Sequence, residues 1–204
     1  MAAAASDDPS YNIESHRDWA ACESFTDLRD VNIRFLKGEI YDTPYHLGPI
    51  CKETTTILQN IIRLNERGFI TTGSQPSYEE DGQILQRSYI QGFINMKKIF
   101  SLVNFVKQNN LYLKIHHRSK MLFDNFPERH FCTTMDKKSN GELVEFTWIQ
   151  SHDGENIFED LATGFHHFAN IIAILQDDYA YVEIANSRWD KVEVSELLVQ
   201  FLGE

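Results

Sequence analysis

No glycine-rich phosphate loop or dinucleotide fingerprint occurs in this chain: GxxxxGK[ST] and GxGxxG are both missing. Those glycines let backbone N–H groups approach a phosphate, so nothing in the pattern points to a Walker-type site or a Rossmann cofactor domain. The GxSxG elbow and the HExxH pair are missing too, and with them the local signatures of α/β-hydrolases and zinc metalloproteases. Cysteine is scarce and odd in number. Cys22, Cys51 and Cys132 stand far apart with no CxxC pair, which supports neither a disulfide framework nor a zinc knuckle. Three buried or half-buried thiols are expected, with no metal and no cofactor. With only ten Gly and five Pro, long flexible linkers are not expected.

Long hydrophobic runs are also lacking. No stretch reaches the roughly 18 apolar residues of a membrane span, and Met1–Asp8 carries neither the basic start nor the apolar stretch of a signal peptide. The expectation is a soluble cytoplasmic protein (host cytoplasm if viral) with no membrane contact. Basic residues are in deficit: 19 Lys and Arg face 30 Asp and Glu, a formal charge of −11. So acidic a chain repels phosphate backbones, and general nucleic-acid binding is not expected.

What is present suffices for a core. Of the 204 residues 42% are hydrophobic, and fourteen Phe, eight Tyr and three Trp supply bulk. Residues 1–14 read as a disordered lead and 15–204 as a single domain. Thr26 is placed to cap a helix carrying Leu28, Val31, Phe35 and Leu36 on one face, with Gly38 as its stop. A second helix is expected from about Glu53 to Arg67. Phe69–Gln75 reads as a strand, Ser77–Gly82 as a polar loop, Gln86–Ile94 as a strand, and Asn95 as the cap of a helix to about Asn109. Leu111–His117 alternates as a strand does, so strand, helix and strand succeed one another as a crossover unit. Asn140-Gly141 predicts a hairpin between His130–Met135 and Glu142–Ile149. Ile157–Leu175 has the longest helical period, Tyr179–Ala185 alternates, and Ser195–Leu202 closes as a short helix. Without strict alternation of element types, this order implies an α+β fold: a mixed sheet of five to six strands packed by four to five helices.

Candidate chemistry centres on Gly68–Pro76, where a helix stop, a short apolar strand and several small polar groups come in succession. Thr72, Ser74 and Gln75 supply donors and acceptors, and Gly73 permits close approach of the backbone. The segment serves either as a pocket rim or as a turn whose hydroxyls satisfy its own backbone. Arg87 and Tyr89 share one strand face; an arginine among aromatics binds a carboxylate or phosphate, or pairs structurally with Glu39 or Glu53. Glu53 near a helix start is also favourable through the helix dipole alone. Adjacent histidines His116-His117 and His166-His167 are poor metal pairs. On a strand, His116 and His117 face opposite sides, and one of them can reach a pocket at the strand's end. His152-Asp153 is a candidate base with its orienting group.

At these blocks the chain resembles an uncharacterised domain family of actinobacteria and large DNA viruses. The resemblance is carried by Trp19, Asp27-Leu28, Phe35–Ile40, Pro44, Gly48-Pro49, Glu53-Thr54, Leu64-Asn65, Gly68–Thr71, Ser74–Pro76, Gln86–Tyr89 and Gly92-Phe93, over about residues 15–95. Phe35 stands where that family often has Trp, and Ser77 where Gly is usual. The resemblance implies kinship and points to Glu39, Glu53, Ser74, Gln75 and Arg87 as the polar residues within its blocks. Two functions are expected. The first is a non-enzymatic binding protein for a protein partner or a small anionic ligand. The second is a small enzyme on a polar anionic molecule or modified side chain. There Arg87 would be the anchor, Ser74 and Gln75 would orient, Glu53 or Glu39 would be the base, and His117 or His152 the acid.

Overall fold

The structure is a computed structural model that describes residues 13–44, 48–118, 120–126, 130–150 and 169–203. Helix α1 (Ile13–Ala20) begins inside the stretch read as a lead. Helix α2 (Phe25–Leu36) is started by Ser24 rather than Thr26: the Ser24 side chain accepts from the Asp27 N–H, and the Asp27 carboxylate accepts from the Ser24 N–H, a reciprocal capping box. That doubled hydrogen bonding outcompetes the lone hydroxyl at position 26, and it holds the Asp27 carboxyl below its ordinary value. The single helix expected from Glu53 is two pieces, a 3-10 turn Lys52–Thr56 and α3 (Leu58–Glu66). Three consecutive β-branched Thr54–Thr56 disfavour a continuous α-helix there.

Strands β1 (Phe69–Gln75), β2 (Tyr78–Glu80), β3 (Gln83–Gln86) and β4 (Tyr89–Asn95) come next. The stretch read as a polar loop therefore holds a short strand, and the single strand expected at Gln86–Ile94 is broken at Arg87-Ser88. Asn95 does act as a cap, for a 3-10 turn Met96–Lys98 that runs into α4 (Ile99–Gln108). Then come β5 (Leu111–His117), β6 (Lys120–Asp124), the hairpin β7 (His130–Lys137) and β8 (Leu143–Gln150), α5 (Ala169–Leu175), β9 (Tyr179–Asn186) and α6 (Val194–Gly203). Gly141 takes the hairpin turn with a φ of 83°, a conformation that suits glycine. His152, His166, His167 and the first part of the helix expected at 157–175 lie outside the described residues.

The fold is α+β, but instead of one mixed sheet there are two antiparallel ones. The first has the order β1-β4-β9-β5-β6 and the second β2-β3-β7-β8. Strands β4 and β5, joined through α4, are parallel to each other as a crossover demands, yet β9 from the end of the chain inserts between them and pairs antiparallel with both. One face of the larger sheet is apolar: Ile90, Ile94, Val182, Ile184, Leu113 and Ile115 are all buried in the main core with Leu102, Val106, Leu198 and Leu64 of the helices. The other face carries Gln91, Glu183, Lys114 and Asp124 as register partners across β4, β9, β5 and β6. Of these, Glu183 and Lys114 are almost fully buried. No helix among the described residues is long and apolar enough to cross a membrane.

Candidate functional site

The site lies at the edge strand of the larger sheet. Strand β1 pairs with β4 from Phe69↔Ile94 to Gln75↔Tyr89, but the register slips between Thr71 and Gly73. Thr72 is the extra residue of this bulge, and bulges re-aim side chains next to functional surfaces. Gly73 is needed there because the side chain of Gln91 crosses above it: an added Cβ would stand 2.6 Å from Gln91 Oε1.

Against the bulge a cavity of about 240 Å³ opens. Its polar wall is Thr71, Thr72 and Ser74 of β1 with Tyr89 of β4, and Thr54 and Cys51 close it from the 3-10 turn. Phe35, Leu36 and Ile61 supply apolar surface from α2 and α3. Asn32 forms part of the lining and is locked in a buried amide network. Its Nδ2 donates to Asn65 Oδ1 at 2.8 Å and to the Thr71 carbonyl at 3.1 Å. Asn65 Nδ2 in turn donates to Thr71 Oγ1 at 2.9 Å and to the Ile61 carbonyl at 2.8 Å. Because Asn32 and Asn65 are essentially unexposed, these bonds are costly to break, and they hold α2, α3 and β1 as one wall.

Among the described residues, no lining side chain is Asp, Glu, His, Lys or Arg. The lining includes one thiol, Cys51, and one phenol, Tyr89. Cys51 is the exposed thiol of the three, whereas Cys22 and Cys132 are buried as expected. Burial is the chief cause that pushes the Tyr89 phenol up. Tyr89 is therefore a neutral hydrogen-bonding group.

Of the residues singled out in the sequence, Thr72, Ser74 and Tyr89 line the cavity together. Gln75 does not; its buried amide donates to Thr134 Oγ1 at 2.9 Å and clips β1 to the second sheet. Arg87 is not brought to Ser74 either. Its guanidinium lies 4.1 Å from the centre of the Trp189 ring, and burial pulls its pKa down against the charges of Cys132, Tyr112 and Glu145. Glu39 is exposed and meets Arg34 at 3.6 Å. Glu53 is exposed in the 3-10 turn beside the lining residue Thr54. The expected convergence of Glu39, Glu53, Ser74 and Arg87 on one point is thus replaced by a hydroxyl-lined wall. His117 is exposed, with Nε2 3.1 Å from the Asp177 carbonyl, while His116 is buried beside Glu183. Sequence reasoning missed Asn32, Cys51, Thr54 and Thr71. Asn32 left one signal, a polar residue in the apolar stripe Leu28-Val31-Phe35 of α2.

Among the described residues no group of three or more His, Cys, Asp or Glu side chains converges as a metal site.

The chain belongs to the family described as Domain of unknown function (DUF6919), which it matches over residues 14–202. The match extends the kinship read at residues 15–95 to both sheets and all six α-helices of the described residues. The DUF6919 chain is also similar to curated proteins. It is 26% identical to methylenetetrahydrofolate reductase 2 of Saccharomyces cerevisiae over 198 residues, covering 83% of this chain and 33% of the relative. It is 23% identical to methylenetetrahydrofolate reductase 1 of Schizosaccharomyces pombe over 148 residues, 65% of this chain and 24% of that one. The probable methylenetetrahydrofolate reductase (NADH) of Oryza sativa is 24% identical over 101 residues, 42% and 17% of the two chains. The chain thus spans a third or less of the length of these relatives.

Proposed function

We propose that this chain is a small-molecule-binding domain, and that the cavity between α2, the 3-10 turn and β1 takes a polar, uncharged or cation-bearing metabolite. The observation that carries this reading is the lining itself: hydroxyls of Thr54, Thr71, Thr72, Ser74 and Tyr89 against Phe35 and Leu36, with no ionised side chain among them. General acid–base chemistry requires a positioned titrating group near its working pH. The tyrosine here is held protonated, so the wall is built for recognition more than for proton transfer. Among the described residues no cation lines the cavity, which favours an uncharged ligand over the anionic one expected from Arg87.

The likeness to methylenetetrahydrofolate reductases supports a role connected with folate reduction. At about 240 Å³ the cavity is smaller than the roughly 300–1,000 Å³ of sites that enclose drug-sized ligands. It suits a small metabolite, or one end of a larger molecule, better than a whole folate with a nicotinamide dinucleotide. We therefore read the chain as a small-metabolite-binding unit that shares part of its sequence with such enzymes. A cytoplasmic location accords with this reading.

The test is the melting temperature of the purified chain against amino acids, amines, nucleosides, nucleotides, sugar phosphates and reduced folates. A ligand that binds only the folded state raises the midpoint by mass action. An uncharged or cationic compound is expected to do so, and Ser74→Ala or Thr54→Val is expected to abolish the shift. Stabilisation by anions alone, unchanged in both variants, would place binding elsewhere and sink this reading.

A further inference from the structure

We infer that the cavity holds its ligand through the main chain of Ser74, and that the ligand is a small neutral molecule built on an N-acylated α-amino-acid amide. The inference rests on the binding function proposed above and names the ligand chemistry of that cavity.

Strand β4 has neighbours on both sides, so its successive residues turn their N–H and C=O groups alternately to β1 and to β9. The two ends of β4 fix the phase. The Ser88 carbonyl accepts from the Asn186 N–H at 2.9 Å, and the Met96 N–H donates to the Asp178 carbonyl at 2.8 Å, both on the β9 side. The pairing with β9 runs from Tyr89 to Asn95 without a slip. Ile90, two residues on from Ser88, therefore also turns its groups to β9. Its partner on β1 is Ser74. Opposed residues of an antiparallel pair exchange both hydrogen bonds or neither, so Ser74 exchanges none with Ile90. Its N–H and C=O point off the edge of the larger sheet, where β1 is the outermost strand among the described residues.

Thr71 also faces off this edge, and it shows what the edge demands. Its N–H donates to Asn65 Oδ1 at 3.3 Å, and its carbonyl accepts from Asn32 Nδ2 at 3.1 Å. Two side-chain amides thus stand in for a neighbouring strand. The extra residue at Thr72 moves the next outward position from Gly73 to Ser74. There, among the described residues, nothing meets either main-chain group. The cavity lies on this edge, since Ser74 lines it together with Asn32, the residue that fills the outward position at Thr71. What complements the N–H and C=O of one strand residue is a C=O and an N–H spaced as on another, the unit –NH–CHR–C(=O)–. Among the described residues no charged side chain lines the cavity, so an ionised amine or carboxylate ending this unit would lose water without gaining a counter-charge. Both of its ends are therefore amides.

The test uses the unmutated, isotope-labelled chain and two probes read by amide NMR. One probe is N-acetyl-alanine methylamide; the other is its ester analogue, in which oxygen replaces the alanine N–H. Before any addition, the Ser74 amide is expected to exchange with water roughly tenfold or more faster than those of Gly73 and Gln75, which face β4. Saturation with the amide probe should slow that exchange and move the Ser74 resonance downfield. The amide should bind roughly three- to tenfold more tightly than the ester, the value of one hydrogen bond. A Ser74 amide already protected in the free chain overturns the assignment, and so does equal affinity for the two probes. If a compound from the melting-temperature panel stabilises the chain and loses its effect in Thr54→Val, while the amide probe leaves Ser74 unmoved, the cavity stands and the role of the Ser74 main chain falls. If neither the panel nor the probes bind, the binding function falls with it.

Discussion

Glu183 Oε1 lies 3.4 Å from His116 Nε2, and both side chains are shut away from water on neighbouring strands. The other carboxylate oxygen accepts from Gln91 Nε2 at 3.1 Å. Lys114, the register partner of Glu183, has Asp124 at 3.7 Å on its far side. A charged row thus crosses a buried sheet face, and it is cohesive only while each member is present. Glu183→Ala leaves the Gln91 amide and the His116 imidazole facing an apolar gap. It is expected to cost about 3–5 kcal/mol of stability in urea unfolding, the scale seen on removing one partner of a buried pair. Glu183→Gln, which keeps shape and hydrogen bonding, is expected to cost clearly less. Equal small losses for both would show that the row contributes little.

Two glycines on adjacent strands should respond differently to alanine. A Cβ at Gly92 would stand 2.2 Å from the Ile70 carbonyl oxygen and 2.6 Å from Phe69 Cε1. Backbone cannot swing aside, so Gly92→Ala is expected to fall at or beyond the upper end of overpacking costs, about 3 kcal/mol. At Gly73 the obstacle is the mobile amide end of Gln91. Gly73→Ala is expected to cost about 1–2 kcal/mol, and the cost should shrink in a Gly73→Ala, Gln91→Ala double variant, because the two side chains compete for one space.

Gln75 and Arg87 offer a separation of stability from binding. The Gln75 amide clips β1 to Thr134, and Arg87 stacks on Trp189. Gln75→Ala is expected to lower stability by about 1–2 kcal/mol and Arg87→Ala by about 0.5–2 kcal/mol. Neither should change the affinity of a compound found by the melting-temperature panel. Loss of binding with stability intact would restore Arg87 as a ligand contact.

Alkaline pH should weaken the fold through Cys22. Burial, helped by the Asp27 and Asp18 carboxylates, pushes this thiol from 9.0 up to about 11. Between those values the unfolded chain has released the proton that the folded chain retains, so stability declines as pH rises. Below about pH 9 the contribution is complete, and above about 11 no further loss arises from this group. Urea midpoints measured from pH 8 to 11 should fall, and Cys22→Ala should flatten that part of the profile. An unchanged slope would assign the decline to other groups.

Local chemistry was legible where it was self-contained. Phe69–Gln75, Leu111–His117 and Tyr179–Ala185 read as strands and are strands. Asn140-Gly141 is a hairpin turn, and Asn95 caps the turn it precedes. Thr72, Ser74 and Tyr89 were each singled out in the sequence, and only the pairing of β1 with β4 brings them to one wall. Arg87 was misplaced because strand alternation was carried back across the break at Arg87-Ser88, where β3 ends and β4 begins.

The sequence by itself determined the class of the fold, most of its strands and the apolar stripes that drive its helices onto the sheet, since each depends on residues a few positions apart. Only the tertiary structure decided that β9 returns between β4 and β5, nearly seventy residues after β5 begins. It alone turned the polar side of β9, which alternation would leave in water, into a buried row with Glu183 against His116. It also brought Asn32, Thr54 and Tyr89 to the bulge at Thr72. Such meetings depend on long-range burial, where an unpaired charge or amide is too costly to tolerate, and no pattern of near neighbours encodes which distant group will satisfy it.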